Sequence, residues 1–117
     1  MSGPAQLLRL CEAADVPTDG ALKVETGDLV LAVFNLGGTL FVTDDQCTHG
    51  PGSLSEGDIY DDVVECNFHG GAFNIRTGEV VSPPCMIPVT TYAVSVSNGA
   101  VYISAPTRDQ DSQTTQP

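Results

Sequence analysis

The chain has 117 residues, of which 41% are apolar and only 6% aromatic, a length that suits one compact core and not two. Fifteen acidic residues against four basic ones give a formal charge of −11, which disfavours nucleic acid and anionic membrane surfaces and favours a basic protein partner. No apolar run approaches the ~18 residues that span a bilayer. No secretory signal is visible in residues 1–10, so we expect a cytoplasmic protein.

Short strands separated by turns are predicted through the first part of the chain. Twelve glycines and eight prolines in so short a sequence favour an all-β fold, for which we expect eight to ten strands. Strands are predicted at residues 6–10, 21–25, 29–36 and 39–43, with at most one helical turn at residues 12–16. The nearly continuous apolar run at 29–36 indicates a central strand, and Gly37-Gly38 predicts a hairpin turn after it.

The second part of the chain alternates loops with further short strands. Residues 44–60 are rich in Gly, Pro, Ser and Asp and are predicted to be a loop. Strands are expected at 63–65, 72–75 and 79–81, then a rigid proline loop at 82–88. Strands at 92–96 and 101–104 are predicted to flank a type I′ turn at Asn98-Gly99. We therefore expect one domain at residues 1–105 and a disordered polar tail at 106–117.

Two short clusters, Cys47-Thr48-His49 and Cys66-Asn67-Phe68-His69, contain the only two histidines of the chain, each beside a cysteine. In the cytoplasm a cysteine is more often a metal ligand or a catalytic group than half of a disulfide. Two thiolates and two imidazoles suit either zinc or an iron–sulfur cluster. The two clusters are therefore candidate metal-binding loops.

The distribution of the four donors favours an iron–sulfur cluster over zinc. Structural zinc sites usually take a cysteine pair from one segment and a histidine pair from another, and catalytic zinc keeps one position open for water. Here each segment supplies one Cys and one His, which suits a binuclear cluster. A structural zinc site and simple packing of the four side chains remain alternatives. The other two cysteines, Cys11 and Cys85, are expected to be free thiols that pack in the protein.

Segments 45–50 and 64–71 resemble the two cluster loops of the Rieske family. They are most similar to the small Rieske ferredoxins that serve bacterial aromatic-ring-hydroxylating dioxygenases. The resemblance extends to residues 54–57, 73–78 and 83–88 and to Tyr92, and covers residues 7–104. It implies an all-β Rieske fold, a small antiparallel β-sandwich with a cluster-binding subdomain formed by two loops. It also implies one [2Fe–2S] cluster per chain.

The resemblance implies a ligand set as well. Cys47 and Cys66 would bind one iron through their thiolates, and His49 and His69 would bind the other iron through a ring nitrogen. Pro84 would close a third loop over the cluster.

Four positions depart from the respiratory members of the family. Those proteins have a disulfide between the two loops, but the matching residues here are Gly52 and Phe68. They also have Ser and Tyr hydroxyls near the cluster sulfurs, where this chain has Gly71 and Phe73. Hydrogen bonds to sulfur and net charge both affect the reduction potential, so we predict a potential on the order of −150 mV.

The function implied is that of a one-electron carrier between a flavin-dependent reductase and the terminal oxygenase of an aromatic dioxygenase system. Docking is expected at the tip that carries the two histidines and two prolines, Pro51 and Pro84, through transient contacts of a monomer. A di-iron aromatic monooxygenase is an alternative partner, and a regulatory iron–sulfur protein is an alternative class. The chain has no spare histidine for a mononuclear iron site, so we do not expect an enzyme.

Overall fold

A computed structural model of the chain describes residues 7–48, 52–66, 71–82 and 87–104. Within these ranges eleven strands form three antiparallel sheets, slightly more strands than the eight to ten predicted. The strands are β1 (Leu7–Glu12), β2 (Gly20–Thr26), β3 (Leu29–Leu36), β4 (Thr39–Asp44), β5 (Asp58–Tyr60), β6 (Val63–Glu65), β7 (Ala72–Asn74), β8 (Val80–Ser82), β9 (Thr91–Tyr92), β10 (Val94–Ser97) and β11 (Ala100–Ser104). Two 3-10 turns, Ala13–Asp15 and Leu54–Glu56, are the helical elements of this part of the chain. The all-β prediction is confirmed, and no helix in these ranges could cross a membrane.

The first two sheets form the sandwich, with strand orders β1-β11-β10 and β2-β3-β4-β9. Strand β3 has its predicted bounds and is buried on both faces. Leu31 and Val33 pack into a core cluster with residues of the first sheet, such as Val101 and Ile103. The alternating residues of β3 point the other way, into a second core. Burial on both sides explains why residues 29–34 of β3 are all apolar instead of alternating.

The third sheet, β5-β6-β7-β8, is a meander that packs against the opposite face of β3. Val64 and Phe73 point inward from its central strands and meet Ala32 and Phe34 of β3 in the second core. The segment from β4 to β5 holds the first Cys–His cluster, and the segment from β6 to β7 holds the second. This sheet and its two loops are therefore the predicted cluster-binding subdomain.

Two predictions about secondary structure were wrong. Residues 44–60 are not one loop, because they contain the end of β4, a bridge between Gln46 and Ser53, a 3-10 turn and β5. The predicted strand at 92–96 is two strands, since Tyr92 pairs with Val42 in the second sheet while Val94 pairs with Ile103 in the first. The chain changes sheets at this point, and that change depends on tertiary packing and leaves no local signal.

The hairpin between β10 and β11 has the predicted turn. Asn98 and Gly99 both have positive φ, at 52° and 81°, as a type I′ turn requires. Ser97 and Ala100 then pair directly on either side. The central part of the predicted proline loop, 83–86, and the predicted tail, 106–117, lie outside the described residues.

Candidate metal centre

The first Cys–His segment begins where β4 ends and is closed by backbone pairing. The bridge between Gln46 and Ser53 brings its two limbs together. Inside that bridge the Cys47 N–H donates to the Gly52 carbonyl at 3.0 Å. Cys47 thus stands at the start of a tight loop whose return limb begins at Gly52.

The second Cys–His segment has the same closure. The Cys66 N–H donates to the Gly71 carbonyl at 2.6 Å, and the separation of these residues equals that of Cys47 and Gly52. Both cysteines directly follow a sheet-paired segment and both loops end at a glycine. One backbone arrangement is therefore used twice to present a cysteine.

Both cysteine side chains point into the same core. Cys47 is 2% exposed and Cys66 is 3% exposed, and both belong to the buried cluster that contains Phe34, Leu54 and Phe73. Two thiols buried in one core are costly to ionise unless a metal ion compensates the thiolate charge. The donor set therefore fits a metal centre that is shielded from water on the cysteine side.

The structure places two of the four predicted ligands. Cys47 and Cys66 belong to one core cluster, while His49 and His69 lie outside the described residues. Within the described ranges no set of three or more ligating side chains converges, since both histidines fall in the gaps. The assignment of the four ligands therefore stays a prediction.

Asp45 organises the first loop, and sequence reasoning did not identify this role. The residue is 3% exposed, yet it is a carboxylate. Its Oδ2 accepts a hydrogen bond from the Ser53 hydroxyl at 2.6 Å, and its Oδ1 accepts one from the Ser55 N–H at 2.8 Å. Lys23 Nζ of β2 lies 3.9 Å from Oδ2. The signal in the sequence was an acidic residue two positions before a cysteine ligand, which by itself does not indicate burial.

The third loop is tied to the first at its C-terminal end. The Thr48 hydroxyl donates to the Ile87 carbonyl at 2.7 Å. Two residues later Val89 is 4% exposed and packs in the same core as the two cysteines. Its N–H donates to the Gly78 carbonyl at 2.9 Å, in the turn between β7 and β8. The predicted third loop thus returns to the sheet beside the metal-binding loops.

The two positions without hydroxyl groups lie where the sequence predicted. Phe73 is fully buried in the cluster with Cys47 and Cys66. Gly71 is buried at the end of the second loop, where its carbonyl accepts the Cys66 N–H. Neither residue can donate a side-chain hydrogen bond to a sulfur atom, which agrees with the physical basis of the predicted low potential.

Charges around the centre are mostly negative. The three cations within the described residues are all in ion pairs, namely Lys23 with Asp45, Arg76 with Asp62 at 3.6 Å, and Arg9 with Glu12. The Arg76 guanidinium also stacks 5.0 Å above the Phe41 ring of β4, which joins the third sheet to the second. The acidic excess of the chain is therefore left without matching cations in this part of the molecule.

A pair of carboxylates on the outer face of the third sheet shows this excess most clearly. Asp58 lies directly opposite Glu65 in the pairing of β5 and β6. The Asp58 charge, followed by that of Glu65, raises the pKa of the exposed Tyr60 hydroxyl. Glu65 immediately precedes Cys66, so this negative face adjoins the second loop.

Cys11 is separate from the metal-binding loops. It is buried in the sandwich core with Val16 and Val101, and its thiol is free, as predicted. Burial, followed by the nearby charge of Asp15, raises the pKa of this thiol. Cys11 is therefore an inert packing residue, while Cys85 lies outside the described residues.

Comparison with known proteins identifies the family. Residues 6–93 match the family model described as the Rieske [2Fe–2S] domain. The chain belongs to the Rieske [2Fe–2S] domain family and binds one [2Fe–2S] cluster.

Within this family, the relatives most similar to the chain include several ferredoxins. Ferredoxin CarAc of Metapseudomonas resinovorans is 44% identical over 98 residues, which are 83% of this chain and 92% of the relative. The 3-phenylpropionate/cinnamic acid dioxygenase ferredoxin subunit of Escherichia coli (strain K12) is 42% identical over 97 residues, covering 82% and 91%. A solved complex of reduced oxygenase and oxidised ferredoxin in carbazole 1,9a-dioxygenase contains a chain that is 42% identical, with a TM-score of 0.79 and coverage of 86% and 94%. The predictions of fold, cofactor and carrier role are confirmed, and the chain is an electron-transfer protein instead of a catalytic subunit.

Proposed function

We propose that this ferredoxin carries single electrons from a flavin-dependent reductase to the terminal oxygenase of an aromatic-ring-hydroxylating dioxygenase system in the cytoplasm. The observation that carries the proposal is the placement of Cys47 and Cys66 at two equally closed loops inside one core. Two of the matches named above support the choice of partners: the Escherichia coli relative is a dioxygenase ferredoxin subunit, and the carbazole 1,9a-dioxygenase structure is a complex of oxygenase and ferredoxin.

The same proposal assigns the ligands. Cys47 and Cys66 hold one iron through thiolates, and His49 and His69 hold the other through ring nitrogens. When bound, the cluster supplies a reversible one-electron couple. The core around Phe73 excludes water from the cysteine side of the cluster. The backbone hydrogen bonds that close the two loops fix the direction of both thiolates.

The ligand assignment is tested by cysteine variants with a matched control inside the same chain. Cys47→Ser and Cys66→Ser should each abolish the visible and EPR signals of the cluster and lower the iron and sulfide content. Cys11→Ser changes the same atom type in the sandwich core and should keep both. A colourless wild-type protein with bound zinc, or full iron content in both loop variants, would contradict the assignment.

The surface beside the first loop supports docking at this end of the molecule. A groove of about 370 Å³ lies beside Cys47 and Thr48 and is lined by two carboxylates, Asp28 and Asp44, and by Val30. Val30 is 41% exposed. An apolar contact rimmed by acidic groups suits a small, transient redox encounter with a basic partner.

Ile87 is the second apolar residue of this docking surface. It is 63% exposed, and its carbonyl accepts the hydrogen bond from Thr48. Ile87→Ser should therefore slow association with the oxygenase. Leu7→Ser is the control, because Leu7 is 59% exposed on β1 in the first sheet.

The partner assignment is tested by stopped-flow kinetics with the reductase and oxygenase encoded by the genes that flank this one. The NADH-fed reductase should reduce the ferredoxin, and the reduced ferredoxin should then be reoxidised by the oxygenase. Both rates should fall as ionic strength rises, since opposite charges steer the encounter. Reduction by the reductase without reoxidation by the oxygenase would argue against this partner, and a di-iron monooxygenase would be the next oxygenase tested.

A further inference from the structure

Asp45 stands two positions before Cys47 and is not among the predicted ligands. All four of its polar atoms are engaged. Its N–H donates to the Val30 carbonyl of β3 at 2.9 Å, and its carbonyl accepts the Leu54 N–H at 2.7 Å. Its two carboxylate oxygens accept the hydrogen bonds from the return limb of the first loop, described above.

These contacts hold three segments in fixed relation. Val30 belongs to the central strand β3, Asp45 to the outgoing limb of the loop, and Leu54 to the return limb. Leu54 is fully buried in the core that contains both cysteines. A change at Asp45 therefore acts on the position of Cys47 without any contact to iron.

The carboxylate is also a charge in a low-dielectric place. The Asp45 side chain is 4% exposed, whereas the side chain of its partner Lys23 is 41% exposed. Water screens the ammonium more than the carboxylate, so the pair does not cancel completely at the nearby centre. A negative charge there disfavours the added electron, and a positive charge favours it.

We propose that Asp45 is a positioning residue for the first metal-binding loop and that the Asp45–Lys23 pair sets the reduction potential, with the two charges acting in opposite directions. This inference rests on the proposed role of Cys47 as a ligand. The control of the reduction potential is thereby assigned to two residues that are not ligands, and one of them, Lys23, is exposed to solvent.

Two substitutions separate charge from position. In Asp45→Asn the shape is kept: the amide oxygen can still accept the Ser55 N–H, and the amide nitrogen can donate to the Ser53 hydroxyl. Lys23→Gln removes the cation from an exposed position and leaves the loop contacts of Asp45 intact. If Asp45→Asn does not fold, Lys23→Gln still tests the proposal.

The matched controls come from the Arg9–Glu12 pair, which is half exposed on β1 in the first sheet. Arg9→Gln changes the net charge by the same amount as Lys23→Gln. Glu12→Gln does the same for Asp45→Asn. Any effect of net charge alone would appear in the controls as well.

The experiment is a spectroelectrochemical titration of each holoprotein at low ionic strength, with iron content measured in parallel. Asp45→Asn should raise the midpoint potential and Lys23→Gln should lower it. The Asp45→Asn shift should change the ratio of reduced to oxidised protein at a fixed ambient potential by roughly threefold, which equals about 28 mV for a one-electron couple. The Lys23→Gln shift should be smaller, because water screens the ammonium more than the carboxylate. The potential of the double variant should lie between those of the two single variants and above the wild-type value, because the carboxylate that is lost is screened less than the ammonium.

Opposite signs are the decisive result, since the two substitutions remove charges of opposite sign and a structural disturbance of the loop would not follow the sign of the charge removed. Shifts of equal sign, or shifts no larger than those of the Arg9 and Glu12 controls, would overturn the inference while leaving the carrier role intact. Absence of the iron–sulfur spectrum in the wild-type protein would instead contradict the proposed function itself.

Discussion

Gly78 is predicted to be a point at which a single methyl group destabilises the whole metal-binding end. It has a φ of +82°, a region that costs an L-residue about 1–2 kcal/mol. A Cβ at this position would overlap the Val89 carbonyl oxygen and lie 3.0 Å from Thr91 Cγ2. Val89 packs beside both cysteines, so the displaced backbone is that of the core around the cluster.

Gly99 is a control with nearly the same backbone angle. Its φ is +81°, but the nearest atom to an added Cβ is Glu12 Oε1 at 3.8 Å. Gly99→Ala therefore has the cost of the positive φ but no steric overlap. The lower entropy of the unfolded alanine chain offsets part of this cost, which leaves a net destabilisation of about 1 kcal/mol. Gly78→Ala adds an overpacking cost of about 2 kcal/mol.

Thermal unfolding of the holoproteins at one scan rate measures the difference. An extra 2 kcal/mol should lower the melting temperature of Gly78→Ala by on the order of 10 °C relative to Gly99→Ala. Visible absorbance of the cluster should be lost together with far-UV circular dichroism in Gly78→Ala. Equal melting temperatures for the two variants would refute the reasoning, because they would show that the backbone near Val89 can move to accommodate the methyl group without a loss of stability.

Three further predictions concern the centre and its surroundings. Phe73→Tyr should raise the midpoint potential, because a hydroxyl would be added beside the cysteine sulfurs. The native potential is expected on the order of −150 mV. An unchanged potential in a variant of full iron content would contradict this prediction. Asp58→Asn removes a like-charge pair with Glu65 and should therefore stabilise the protein by about 0.5 kcal/mol. It should also lower the pKa of Tyr60, measured by ultraviolet titration. The same tyrosine pKa in the variant and the wild-type protein would count against this prediction. Chelation of iron should increase hydrogen exchange in residues 47–52 and 66–71 while β3 stays protected, and uniform loss of protection would show instead that the sandwich depends on the cluster.

The sequence predicted best the elements whose burial is set locally. Strand β3 and the turn at Asn98-Gly99 were predicted with their bounds, because a nearly continuous apolar run and a two-residue turn are each sufficient signals. Strand β5 was missed, since its three residues follow a stretch of Gly, Ser and Asp that reads as a loop. Its pairing with β6 depends on a contact that a local pattern does not encode.

The four predicted ligands stay a prediction that rests on their chemistry. The residue types alone, two cysteines and two histidines in mixed pairs, indicate a metal site. The structure adds that both cysteines lie in one core. The role of Asp45 could not be predicted, because its burial results from β2, β3 and the return limb meeting around it. Residues that position a ligand are identified by their contacts, and contacts are a property of the fold.

The pairing of every described cation with an acid has a consequence for electron traffic between copies of the protein. A second copy meets no patch of opposite sign on this part of the surface, and two molecules of charge −11 repel each other. Electron self-exchange between two carriers should therefore be slow at low salt and become faster as salt screens the repulsion, which is opposite to the behaviour expected with a basic partner. Like-charge repulsion thus keeps each reduced molecule from exchanging its electron with a second copy before it meets a partner of opposite charge.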